Sequence, residues 1–268
     1  AWTLNVRCSD VEFNPVTISY AYLSDTVNVF FVDERKIDAD VRAYLKECGV
    51  EVAPYDSVEK FLEKIKDATV LLDPNKTSDT IARSLLNCGT VYAQSPVALL
   101  KAVKNDVQIE GTRKAMERDG VALVKLFMWI EQNVASGSIT EYDVAQKVQE
   151  FRAASPLYRG ESFGLIAGYN EHGAIVHYEP EKETSSTLHP EGMLLVDTGG
   201  QYLDGTTDIT RTVALGTPTE AQRHDYTLVL KGHIALGSMI YPTGTRGSQL
   251  DVLARQFLWK ECMTYWHG

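Results

Sequence analysis

Residues 194–212 read LLVDTGGQYLDGTTDITRT. An apolar run from Met193 enters Val196-Asp197-Thr198-Gly199-Gly200, and a second β-rich run returns from Thr206 through Asp208 to Leu215. Between them, Leu203-Asp204 or Asp204-Gly205 can form a tight two-residue turn, so the stretch predicts a β-hairpin. Two registers are open. With Leu203-Asp204 as the loop, Asp197 lies opposite Thr210 and Gly199 opposite Asp208. With Asp204-Gly205 as the loop, Asp197 lies opposite Thr212 and Gln201 opposite Asp208. Side chains alternate with period two and directly opposed residues share a face, so both registers put Asp197 and Asp208 on one face. In the first register the two are diagonal neighbours about 7–8 Å apart. The second needs a bend at Gly199-Gly200 to bring them together.

Like charges on one partly buried face repel and lose hydration. A divalent cation offsets both effects. Hard carboxylate oxygens suit Mn²⁺ or Mg²⁺, with Zn²⁺ or Co²⁺ as alternatives. The same residues also read as turn aspartates (Asp197, Asp204) and a solvated strand residue (Asp208), and spacing alone does not choose.

Upstream, the first hundred residues alternate short strands and helices. Strands are predicted over Val16–Tyr20, Thr26–Val32, Val50–Ala53, Thr69–Asp73 and Thr90–Tyr92. Helices are predicted from Ala39 to Cys48, ended by Gly49, after Asp56 or Ser57, and from Ser78 to Leu86. This part carries no catalytic set and reads as a supporting α/β domain. From Asp106 the texture changes. A long helix runs to Ser136-Gly137, and Thr140-Glu141-Tyr142-Asp143 opens another to about Ala154. β-rich segments follow at Phe163–Ala167 and Ala174–Tyr178 as well as in the hairpin, and two helices cover Thr219–Ile240 and Ser248–Met263.

The chain has 268 residues, 44% hydrophobic and 23% charged, with 26 Lys and Arg against 36 Asp and Glu for a net charge of −10. That balance argues against a nucleic-acid or anionic-membrane partner. No apolar run reaches the roughly 18 residues of a membrane-spanning helix, and no signal peptide is visible. Cys8, Cys48, Cys88 and Cys262 are widely spaced, which fits reduced thiols in a cytoplasmic protein.

Several motifs resemble the aminopeptidase P family: Val196–Gly199, Asp204–Thr212, Leu215–Thr219, Gly173–Tyr178, Val229–Ala235, Tyr241–Thr245, Tyr265–Gly268, and Lys101–Asn105 at the entry to the catalytic domain. The resemblance covers nearly the whole chain. It implies a mixed α/β (α+β) architecture: a creatinase-like, non-catalytic domain over residues 1–100, then part of a pita-bread metallopeptidase domain over 101–268. It also implies two divalent metal ions, Mn²⁺ favoured and Zn²⁺ or Co²⁺ the alternatives, with Asp197 and Asp208 as ligands and Asp208 bridging the pair. His177 resembles the histidine that contacts substrate near the scissile bond. His267 resembles the first histidine of the family's His-Gly-Thr-Gly-His-Gly motif, which stabilises the transition state or moves a proton. Read without the family, each of these histidines is as readily a structural residue.

The implied substrate is a peptide with proline in second position, and the implied full-length assembly is a homodimer. The resemblance also places a further metal histidine and two glutamate ligands beyond Gly268, and another domain before Ala1. The 268 residues alone are therefore expected to be inactive and to leave the apolar faces of Val196, Ile209 and Val213 exposed. Cys8 stands where the family usually has glycine, away from the chemistry. Creatinase relatives lack the metal aspartates. A prolidase-like dipeptidase and a non-catalytic pita-bread module that binds a protein partner are the competing readings.

Overall fold

The computed structural model describes residues 1–266. Two compact units emerge, one made of residues 1–117, 157–163 and 200–207, the other of 118–156, 164–199 and the chain from Asp208 onward.

The first unit begins with the strands Ser19–Leu23 (β1) and Asn28–Val32 (β2), the helix Ala39–Glu47 (α1) and the strand Val50–Pro54 (β3). β2 is central, antiparallel to β1 and parallel to β3, and its two faces pack into two cores, Val29 and Phe31 in one and Phe30 and Val32 in the other, so all four are buried. β1 starts later than its composition suggests. Asp10 Oδ2 accepts from the hydroxyl of Thr17 and the backbone N–H of Ile18, which holds those residues out of the ladder. α1 begins where Asp38 accepts from Val41 N–H and ends at Gly49, whose φ of 71° favours a residue without Cβ. The helix Val58–Leu62 (α2), strand Thr69–Leu72 (β4), helix Asp79–Arg83 (α3) and strand Gly89–Tyr92 (β5) follow, with β4 and β5 parallel. Helix Pro96–Ala102 (α4) follows, with Pro96 in its first turn, where a missing N–H costs nothing.

Helix Asp106–Asn133 (α5) begins at Asn105, whose side chain and that of Gln108 exchange hydrogen bonds with each other's backbone N–H, and its chain passes from the first unit into the second. Helix Glu141–Ala153 (α6) opens on the capping box expected at Thr140, with Asp143 reciprocating. Strand Tyr158–Glu161 (β6) belongs to the first unit, and Ile166–Tyr169 (β7) and Met193–Thr198 (β8) to the second. Gly200–Tyr202 (β9) and Gly205–Thr206 (β10) pair in the order β10-β9-β6. Ile209–Ala214 (β11) pairs with β8 in the antiparallel order β11-β8-β7. Helices Glu220–Gly237 (α7) and Gly247–Trp259 (α8) follow, and no helix among the described residues is long and apolar enough to cross a membrane.

Two sequence expectations are corrected. Ala174–Tyr178 is not a strand. Residues 170–174 form a 3-10 turn, and His177 has φ 56°, which no ladder position accommodates. β-propensity reflects packing on a partner strand, and here Tyr178 is drawn onto a buried carboxylate instead. Val196 and Ile209 are not left bare. They are 1% and 9% exposed, packed with Leu194, Leu126, Val144 and Val148 in the core of the second unit, and Val213 is half-buried beside them.

Candidate metal centre

β8 alternates strictly: Leu194, Val196 and Thr198 are buried, while Leu195 and Asp197 are half-buried on the other face. The hairpin takes the first of the two open registers. Asp197 pairs with Thr210 and Thr198 with Ile209, and beyond them Tyr202 pairs with Gly205, leaving Leu203-Asp204 as the loop. The ladder pauses between these runs, where the backbone N–H of Thr207 donates to Gly200 O at 3.0 Å and Gly200 N–H donates to Thr207 Oγ1 at 2.8 Å. Counted along that register, Asp208 falls on the same face as Thr210 and Asp197. Ile209 and Thr207, at 9% and 1% exposure, point the other way. Asp208 is exposed and Asp197 half-buried. Thr210 Oγ1 donates to Asp197 Oδ1 at 2.7 Å.

These donors suit a hard divalent cation, since both are carboxylates on one solvent-facing surface. They supply part of a coordination shell only. Among the described residues no group of three or more His, Cys, Asp or Glu side chains is arranged to hold a metal ion. His177 therefore does not join the aspartates in such a group. It sits exposed on the turn after the 3-10 segment. His267 lies outside the described residues.

Two buried ionic clusters lie near these residues, and neither was among the residues expected to form the site. Glu141, at 0% exposure, accepts from Tyr169 N–H at 2.6 Å, Ser186 N–H at 2.8 Å and the Tyr178 hydroxyl at 2.7 Å, and both its oxygens lie 2.9 Å from His172 Nδ1. The Tyr178 hydroxyl is pushed up to about 12, first by burial and then by its hydrogen bond to this carboxylate. The second cluster joins Arg152 to Asp119, Nε to Oδ1 at 2.6 Å and Nη2 to Oδ2 at 3.0 Å, while Arg152 Nη1 donates to Thr198 Oγ1 at 2.6 Å and Gly199 O at 3.1 Å. A signal for this pair did exist. Asp119 shares a helical stripe with Ala115, Ala122 and Leu126, and Arg152 one with Ala145 and Val148, all buried. Charges set in apolar stripes need partners.

The family model for metallopeptidase family M24 matches residues 110–268, and that for the creatinase/prolidase N-terminal domain matches residues 1–108. The whole chain aligns at 41% identity with a probable Xaa-Pro aminopeptidase P of Aspergillus clavatus, and covers 42% of it. A counterpart in Aspergillus niger is 42% identical, with 45% of its length covered. Among solved structures, the X-prolyl aminopeptidase of Caenorhabditis elegans, described as a cytosolic enzyme with a di-nuclear active site, superposes with a TM-score of 0.89 at 34% identity, over 97% of this chain and 44% of that one. The X-Pro aminopeptidase of Thermotoga maritima, at 20% identity and a TM-score of 0.73, shares the fold. The chain spans less than half the length of the curated relatives it matches.

Proposed function

This chain belongs to metallopeptidase family M24, and from that premise we propose that the full-length protein is a metal-dependent aminopeptidase that removes an N-terminal residue preceding proline. The observation that carries the reading is the pair of carboxylates, Asp197 and Asp208, on the outer face of one hairpin in a chain 34% identical to an enzyme described as di-nuclear. Asp197 and Asp208 would be among the ligands of two divalent ions, with Mn²⁺ the favoured metal. Bound there, such ions would supply Lewis-acid polarisation of the scissile carbonyl and would lower the pKa of a water so that it gives up a proton and can attack as hydroxide.

The chain's own residues do the rest. The aspartates fix where the reacting carbonyl sits. His177, on its exposed turn, would contact substrate beside the scissile bond, and His267 would hold or move a proton. Residues 1–100 act as a non-catalytic creatinase-like domain, and residues 101–268 form the N-terminal part of the pita-bread domain. The substrate is a peptide with proline second. A cytoplasmic location follows the worm relative, which is described as cytosolic, and the full-length form is read as a homodimer. A hard divalent ion wants about six ligands, so the 268 residues by themselves should bind Mn²⁺ weakly and turn over no peptide.

The test is metal analysis of the full-length protein with hydrolysis of an Xaa-Pro tripeptide and an Xaa-Pro dipeptide, wild type against Asp208→Ala. The expected result is two ions per chain, preference for the longer peptide, and loss of both metal and activity in the variant. Wild-type turnover and metal content in Asp208→Ala would overturn the assignment. Cleavage of the dipeptide alone would replace it with a prolidase reading.

A further inference from the structure

Behind the strand that carries Asp197 lies a charge pair that the proposed peptide chemistry does not use. Arg152 on α6 and Asp119 on α5 are 1% and 0% exposed. Replacing such a pair with well-packed apolar residues commonly leaves a protein no less stable, so stability is a poor account of why it is there. Its geometry suggests another. Two guanidinium nitrogens are taken up by Asp119 in a fork. The remaining one, Nη1, donates to Thr198 Oγ1 at 2.6 Å and to Gly199 O at 3.1 Å. These are the two residues that follow Asp197.

The position matters because the strand loses its other restraints there. Thr198↔Ile209 is the last ladder pair of β8, and Gly199 belongs to no strand and has no side chain to anchor it. Side chains alternate along β8, so Thr198 points into the core at 0% exposure while Asp197 points out. The guanidinium thus grips the strand from behind at the residue after the ligand, with charge-assisted bonds in a dry environment where they are strongest.

We propose that Arg152, locked in place by Asp119, is a positioning residue for the metal centre: through Thr198 and Gly199 it sets the direction in which Asp197 presents its carboxylate. The inference rests on reading Asp197 as a metal ligand. Outer partners that orient a ligand typically change metal affinity 10–100-fold when removed.

The hydroxyl of Thr198 separates this role from packing. Thr198→Val keeps the side chain's shape and removes the acceptor, whereas Thr198→Ser keeps the acceptor and removes a methyl group. Mn²⁺ is titrated calorimetrically into the metal-stripped full-length protein, with thermal unfolding of the same stripped samples. T198V should bind Mn²⁺ about 10–100-fold more weakly than wild type, T198S close to wild type. Arg152→Lys, which cannot reproduce the fork, should lose as much as T198V, and the double variant little more than either single change. If R152K fails to fold, the T198V and T198S pair still decides. A packing role predicts the opposite order, with T198S the worse and affinity tracking Tm. T198V binding Mn²⁺ as tightly as wild type, or T198S as weakly as T198V, overturns the proposal while leaving the metal centre standing. A wild-type protein that takes up no Mn²⁺, or an Asp197→Ala variant that binds it unchanged, overturns the ligand assignment and the proposal together.

Discussion

Thr210 donates its hydroxyl to Asp197 across the hairpin, Oγ1 to Oδ1 at 2.7 Å. The bond engages one oxygen and restrains the rotation of the carboxylate, and under the proposed reading the other oxygen would face the cation. Thr210 is exposed, so Thr210→Val should change folding stability by no more than about 0.5 kcal/mol. Its Mn²⁺ affinity in the full-length protein should nevertheless fall by about tenfold or more. Calorimetric titration beside a urea unfolding curve checks both halves. Unchanged affinity would mean that the threonine does not orient the carboxylate.

Glu141 gathers four donors at 0% exposure. Glu141→Ala leaves all of them without a buried acceptor, at about 1–3 kcal/mol for each group that water cannot reach. The variant should be strongly destabilised in urea. Glu141→Gln preserves the shape and removes the charge. In that variant the Tyr178 hydroxyl, pushed up to about 12, should titrate lower yet remain above its ordinary value of about 10, because burial is the larger cause and persists. Ultraviolet titration of tyrosinate measures the shift.

Gly111 on α5 touches the hairpin loop. A Cβ there would lie 2.4 Å from the carbonyl oxygen of Asp204, a backbone atom with no freedom to swing aside. Alanine is the better helix former by roughly 1 kcal/mol. Overpacking against backbone costs about 1–3 kcal/mol, so the clash should win and Gly111→Ala should lower the urea midpoint. A raised midpoint would show that loop and helix are not held this closely in solution.

Asp73, buried at the end of β4, accepts from Ser95 N–H and Asn75 N–H, each at 3.0 Å. Those bonds, Ser95's the larger, hold its carboxyl below the ordinary range. A folded pKa below the unfolded value of about 3.9 means that the stabilisation is present above that value and is lost as pH falls through the folded one. Asp73→Asn should therefore be less stable than wild type near neutral pH, and its decline on acidification should be shallower. Urea midpoints from neutral pH down to pH 3 would show the two curves converging. Parallel curves would exclude a depressed carboxyl.

Much of the hairpin was legible because its information is local. Alternation along Leu194 to Thr198 and the parity of a two-residue turn dictate which residues share a face, and the capping box at Thr140 stands in consecutive residues. Ala174–Tyr178 was misread for the opposite reason. Its composition is that of a strand, and what pulls it out of a sheet is Glu141, 37 positions from Tyr178. The burial of Val196 and Ile209 was missed in the same way, since the helices that cover them come earlier in the chain.

By itself, then, the sequence determined the hairpin, the parity that sets Asp197 and Asp208 on one face, and the family. Only the tertiary structure decided between the two registers, because both satisfy period two and the choice depends on how Tyr202 and Gly205 meet across the loop. Only the tertiary structure joined Arg152 to Asp119 and Thr198, 33 and 46 residues away. A buried charge must find its counter-charge somewhere in the fold, but its own neighbours in sequence carry no record of where.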